Sequence, residues 1–158
     1  VQPASSVAFG QTDPTTTVFT AGRGGQDNMN FGSGDEVVAW CFASKEGYQK
    51  ISTFTGVGGA DNQFIYLGFR PAFFMVKRIN STGDWVMYDS LRDPYNVGSR
   101  RISANLSGNE LSGSSNYGID FLSNGVKWRS GQGDSATDNG VYLYWAIAEQ
   151  PFKYSNAR

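Results

Sequence analysis

The 158 residues predict an all-β protein, an antiparallel β-sandwich with an extended N-terminal arm. Three observations lead there. Short apolar runs of four to eight residues are separated by gaps rich in Gly, Ser and Asn, which is the spacing of strands and turns. Aromatic residues make up 15% of the chain and charged residues only 17%, so packed surface dominates over the solvated charge that helices usually carry. No stretch sustains a 3.6-residue apolar period, so almost no helix is expected.

Residues 1–17, with Pro3 and Pro14, read as an extended arm or linker holding at most one short strand at residues 7–9. A short β-prone run follows at residues 18–20, then a Gly-rich loop. Residues 37–43 form a continuous apolar run, and residues 44–47 a turn. Further strands are expected at residues 48–54, 64–67, 72–79 and 85–89. The Asn80-Ser81-Thr82-Gly83-Asp84 turn joins the last two as a hairpin. Residues 101–106, 119–122, 126–129 and 141–148 complete the set, with a tight turn at Ser123-Asn124-Gly125.

Residues 37–43 and 141–148 are too short for a typical helix and do not alternate apolar with polar. Both are therefore expected as strands buried on two faces at the centre of the sandwich. Cys41 lies in the first and reads as a small core residue, since a reactive thiolate needs an accessible, electropositive site. The two runs also echo each other. Each follows a short strand and a Gly-rich loop, and each carries Trp followed by Ala. Residues 18–158 read as the sandwich, while residues 18–46 admit a second reading as the closing hairpin of a preceding, related domain. The chain begins on Val1, so a portion of something longer is expected.

Composition excludes several functions. Net charge is −1 and basic residues adjoin only at Lys77-Arg78 and Arg100-Arg101, so no track for nucleic acid exists. There is no histidine, which removes Ser-His-Asp and Cys-His catalysis and every His-containing metal site. No apolar run is long enough to span a bilayer as a helix. The glycines at residues 22–25 and 56–59 are followed by turn and strand residues, not by a helix that could face a phosphate. Asp134, Asp138 and Asn139 share one loop and could offer oxygens to Ca²⁺, but the spacing is not that of an EF-hand, and no metal or cofactor is expected.

The binding candidates are Trp85, Tyr88, Asp89, Arg92, Tyr95 and Trp128, aromatics beside polar groups. Sugar sites stack an aromatic face on the ring and hydrogen-bond its hydroxyls with Asp, Asn and Arg. The same aromatics could equally be half-buried sandwich residues. No catalytic residue is assigned.

One string of motifs is distinctive. Val38-Ala39-Trp40-Cys41-Phe42 is followed by Gly47-Tyr48-Gln49-Lys50 and Phe54-Thr55-Gly56. Then come Tyr66-Leu67-Gly68-Phe69-Arg70-Pro71-Ala72-Phe73-Phe74-Met75-Val76-Lys77-Arg78, Arg92-Asp93-Pro94-Tyr95-Asn96 and Ala146-Ile147-Ala148-Glu149-Gln150-Pro151-Phe152. Over about residues 37–158 this order resembles an uncharacterised repeat domain of tailed-bacteriophage virion proteins. At the level of fold it is similar to concanavalin A-like, jelly-roll and SPRY-type sandwiches. The resemblance implies a non-enzymatic structural or adhesion module on the virion, part of a tail or capsid fibre that presents a surface to host glycan. It implies other virion proteins and further copies of the chain as partners, a trimer being common among fibres, with no nucleic acid and no membrane insertion. The alternatives are a capsid decoration protein without ligand and a polysaccharide depolymerase using a carboxylate pair.

Overall fold

The computed structural model describes residues 15–19, 38–58, 63–113, 117–129 and 139–152. Among them are eight strands and no α-helix: β1 (Gln49–Thr55), β2 (Phe64–Tyr66), β3 (Pro71–Arg78), β4 (Trp85–Asp89), β5 (Ile102–Ser103), β6 (Ile119–Leu122), β7 (Gly125–Trp128) and β8 (Val141–Ala148). They form two antiparallel sheets, one of five strands in the order β1-β8-β3-β4-β5 and one of three in the order β2-β7-β6. The chain divides into two compact units, Val1–Cys41 and Phe42–Arg158, and all eight strands lie in the second.

The expected hairpins form because their turns are local. β3 and β4 pair with Phe73 opposite Asp89 and Lys77 opposite Trp85. Lys77 Nζ donates to the carbonyl of Gly83 at 2.7 Å, which ties the turn to the strand. β6 and β7 pair from Ile119–Trp128 to Leu122–Gly125, around a Ser123-Asn124 turn. Gly125 is required by its neighbour in β2: a Cβ there would lie 2.2 Å from the carbonyl oxygen of Ile65, well inside van der Waals contact.

The core lies between the sheets. Phe74, Val76, Val86, Tyr88, Tyr142, Tyr144 and Ala146 point inward from the large sheet, meeting Ile65, Ile119, Phe121, Val126 and Trp128 from the small one. Trp128 is wholly buried and meets Phe74 and Tyr88 edge-on, with ring centroids 6.1 and 5.6 Å away. Edge-on contacts suit the quadrupoles of aromatic rings.

The structure overturns the central place expected for residues 37–43. Its described part, residues 38–43, is in no strand, and Val38, Trp40 and Phe42 are 70%, 78% and 53% exposed. The neighbours of β8 are β1 and β3. The cause is visible after Lys45, which makes one bridge to Gln49. The Ser44 hydroxyl, 3.0 Å from both, accepts from the amide of Ile51 and donates to its carbonyl. A side chain thus takes the two backbone groups that a continuing partner strand would need. Cys41 is exposed, not core filler, for the same reason.

β8 is a strand with a partner on either side, but it is not buried on two faces. Tyr142, Tyr144, Ala146 and Ala148 are buried, while Val141, Leu143, Trp145 and Ile147 are half-buried. The arm at residues 1–14, the possible strand at 7–9, and most of the Gly-rich loop of the echo lie outside the described residues.

Candidate functional site

The register of the large sheet assembles an unusual outward face. Ile51 pairs with Trp145, Trp145 with Met75, Met75 with Met87, and Met87 with Ile102. Paired residues point to the same side. A row of five apolar side chains therefore crosses all five strands on the side away from the core, and every member is half-buried. One flanking row holds Thr53, Leu143, Lys77 and Trp85, and the other holds Gln49, Ile147, Phe73 and Asp89. Antiparallel sheets usually turn a polar face to solvent. This one does not.

Phe42 lies on this face, its ring centroid 4.5 Å from that of Trp145. Gln49 fixes the arrangement: it accepts from Trp145 Nε1 at 3.2 Å and donates through Nε2 to the carbonyl of Ala43 at 2.7 Å. Between Phe42, Ile51, Met75, Trp85, Leu143 and Trp145 is a cleft of about 270 Å³. Its lining is apolar and aromatic, and the Trp85 backbone at its edge is held by a side chain. Asn105 Oδ1 accepts from the amide of Trp85 at 2.9 Å, and Asn105 Nδ2 donates to Asp84 at 3.0 Å.

The six residues expected to bind sugar do not converge. Tyr88 and Trp128 are in the core, where each ring packs on the other, so neither offers a face to a ligand. Their inward direction follows from strand parity: Trp85, Met87 and Asp89 alternate with Val86 and Tyr88 along β4, and Lys127 separates the buried Val126 and Trp128 in β7. Trp85 lines the cleft. Asp89 accepts from the amides of Leu91 and Arg92 at 3.1 and 2.8 Å and forms an ion pair with the Arg92 guanidinium. Arg92 also reaches Glu110 at 3.1 Å. Burial pushes the Asp89 carboxyl up, but the hydrogen bonds and charge of Arg92, with the Leu91 amide, more than offset it and hold its pKa below the ordinary value of 3.8. Burial likewise works against the Arg92 charge, and Asp89 and Glu110 outweigh it and raise its pKa.

Tyr95 is 80% exposed on the loop after β4. That loop is braced from within. Asp93 accepts from the amides of Ser99 and Arg100 at 2.6 and 3.0 Å, and Asn96 exchanges hydrogen bonds with the backbone of Phe121 at 3.0 and 3.2 Å. The nearby Arg101 is buried, its guanidinium 3.4 Å from the centre of the Tyr117 ring, a cation–π contact the sequence did not suggest.

Among the described residues no group of three or more Cys, Asp or Glu side chains could hold a metal. Asp134 and Asp138 lie outside the described residues. Sequence reasoning missed Met75, Leu143 and Trp145. The signal was present: both parities of residues 141–148 are apolar, which fits an exposed apolar face as well as double burial.

Fold and site together define an antiparallel β-sandwich with an apolar outward face, a scaffold with an aromatic cleft and a separate braced loop. The chain belongs to the DUF7483 family, a domain of unknown function, which it matches over residues 1–151. No curated protein and no solved structure matches it.

Proposed function

We propose that the chain is a non-enzymatic structural module of a tailed-phage virion, part of a tail or capsid fibre, that packs against protein through the outward face of its large sheet. The observation that carries this reading is the row from Ile51 to Ile102, five half-buried apolar side chains where solvent would select polar ones. The motif string of residues 37–152 supplies the virion setting. The loop bearing Tyr95 is the surface offered to host glycan, since its exposed ring is held on a braced backbone. Among the described residues, Asp89 and Glu110 are engaged by arginines, Asp93 by backbone amides and Asp84 by Asn105.

Immunogold labelling of particles tests the setting. Label on the tail or capsid fibre is expected, and particles without label would remove the reading. Glycan-array binding lost in Tyr95→Ala is expected of the adhesive loop. Binding to capsids with no glycan bound by either protein would favour capsid decoration, a reading supported by the apolar cleft floor.

A further inference from the structure

We propose that Arg101 anchors an anion site inside the sandwich, at the end where β4 runs out into the loop bearing Tyr95, and that the site takes a small monoanion such as chloride or formate. The inference goes beyond the functional reading above and does not depend on it.

Strand parity places the site. β5 pairs Ile102 with Met87 and Ser103 with Val86. Ile102 faces outward with Met87, so Arg101, one residue earlier, faces the core on the side of Tyr88. It is only 5% exposed. Its backbone is fixed by two hydrogen bonds with Leu111, at 2.9 and 3.0 Å. Ser90, two residues beyond Tyr88 and of the same parity, is buried as well. Trp128 packs edge-on against Tyr88 from the small sheet.

Charge and hydrogen bonding define the ligand. Arg101 Nε and Nη1 are buried and have no hydrogen-bond partner. Tyr117 does not supply one. At 3.4 Å its ring covers the flat face of the guanidinium, whereas the N–H groups point outward in the guanidinium plane. Among the described residues, the carboxylates of the neighbouring segments are committed elsewhere. Asp89 and Glu110 hold Arg92, and Glu110 also reaches Arg100 at 3.7 Å. Asp93 accepts from backbone amides. Asp120 pairs with Arg129, and it alternates with the core residues Ile119 and Phe121, so it faces away from the core. Ser90 Oγ and Trp128 Nε1 are buried without a partner too. A guanidinium and an indole are donors only, so what completes them is an acceptor. A buried charge without a counter-charge costs far more than an unmade hydrogen bond. A water would satisfy the donors and leave the charge; an anion satisfies both. The burial of Arg101 restricts that anion to a small one.

Thermal unfolding of the full chain at constant ionic strength tests the proposal, with chloride or formate exchanged for the bulkier methanesulfonate. The melting temperature is expected to rise with the logarithm of the chloride or formate concentration, as it does when a ligand binds the folded state alone. Glucuronate, whose carboxylate is carried on a sugar ring, should give no shift. Arg101→Met removes the charge and keeps an apolar stem in its place, and it should abolish the difference between anions. Arg100→Met, at the exposed neighbour, should retain it. Should Arg101→Met fail to fold, diffraction from wild-type crystals grown in bromide reads the site directly, and an anomalous peak beside the Arg101 guanidinium is expected. Four results would overturn the proposal: equal melting temperatures in all anions; stabilisation by glucuronate without stabilisation by chloride or formate; a folded Arg101→Met protein that still tells the anions apart; or bromide at exposed side chains alone, which is an adventitious ion only.

Discussion

Trp128 and Trp145 sit in different sheets and have opposite roles. Trp128 closes the core; Trp145 floors the outward cleft. Trp128→Ala should lower stability by about 3–5 kcal/mol, read from urea unfolding, because a large fully buried ring leaves a cavity. Trp145→Ala should cost clearly less, since its ring is already half in water. Asp89 gives a pH signature. Its folded-state pKa lies below the unfolded value, so its contribution is complete above about pH 4 and is lost as pH falls through the folded value. Asp89→Asn should flatten the acid limb of the stability profile and leave its neutral limb parallel to wild type. At this scale the sequence was only partly legible. Trp85 was singled out as an aromatic beside polar groups, and it lines a cleft whose other walls are apolar or aromatic. Tyr88 and Trp128 have the same local composition, and nothing in a linear neighbourhood shows that strand parity turns them inward.

The hairpins were legible because turn chemistry is local: residues 80–84 and Ser123-Asn124 punctuate apolar runs, and the strands follow at either side. Gly125 is the exacting position. Gly125→Ala should destabilise by about 1–3 kcal/mol, measured as a lowered melting temperature, because β2 must move away from the added methyl. Pairing between distant strands was not legible, and neither was the fate of residues 38–43. Their composition is that of a strand, yet one hydroxyl on Ser44 takes the hydrogen bonds that would have paired them. Apolarity without alternation was read as burial on both faces. In β8 it reflects two faces of different kinds, one in the core and one outward.

As a whole, the molecule separates its surfaces. The outward sheet face offers area, and the loop with Tyr95 offers an exposed aromatic tip. Filling the cleft with Leu143→Trp should weaken co-sedimentation of the chain with virion particles while leaving any glycan binding by the loop intact. The all-β sandwich class was legible in the sequence. Its apolar outward row was not, because register, which sets Ile51, Trp145, Met75, Met87 and Ile102 side by side, arises from residues far apart in the chain. The Ser44 hydroxyl on Ile51 has one more consequence. A free sheet edge is a template on which chains can add without limit. β1 is one edge of the large sheet, and its Ile51 groups are taken; β5, the other edge, is only two residues long. Lateral polymerisation is thereby hindered at both ends. Chains crowded together are therefore kept from joining edge to edge in open-ended rows.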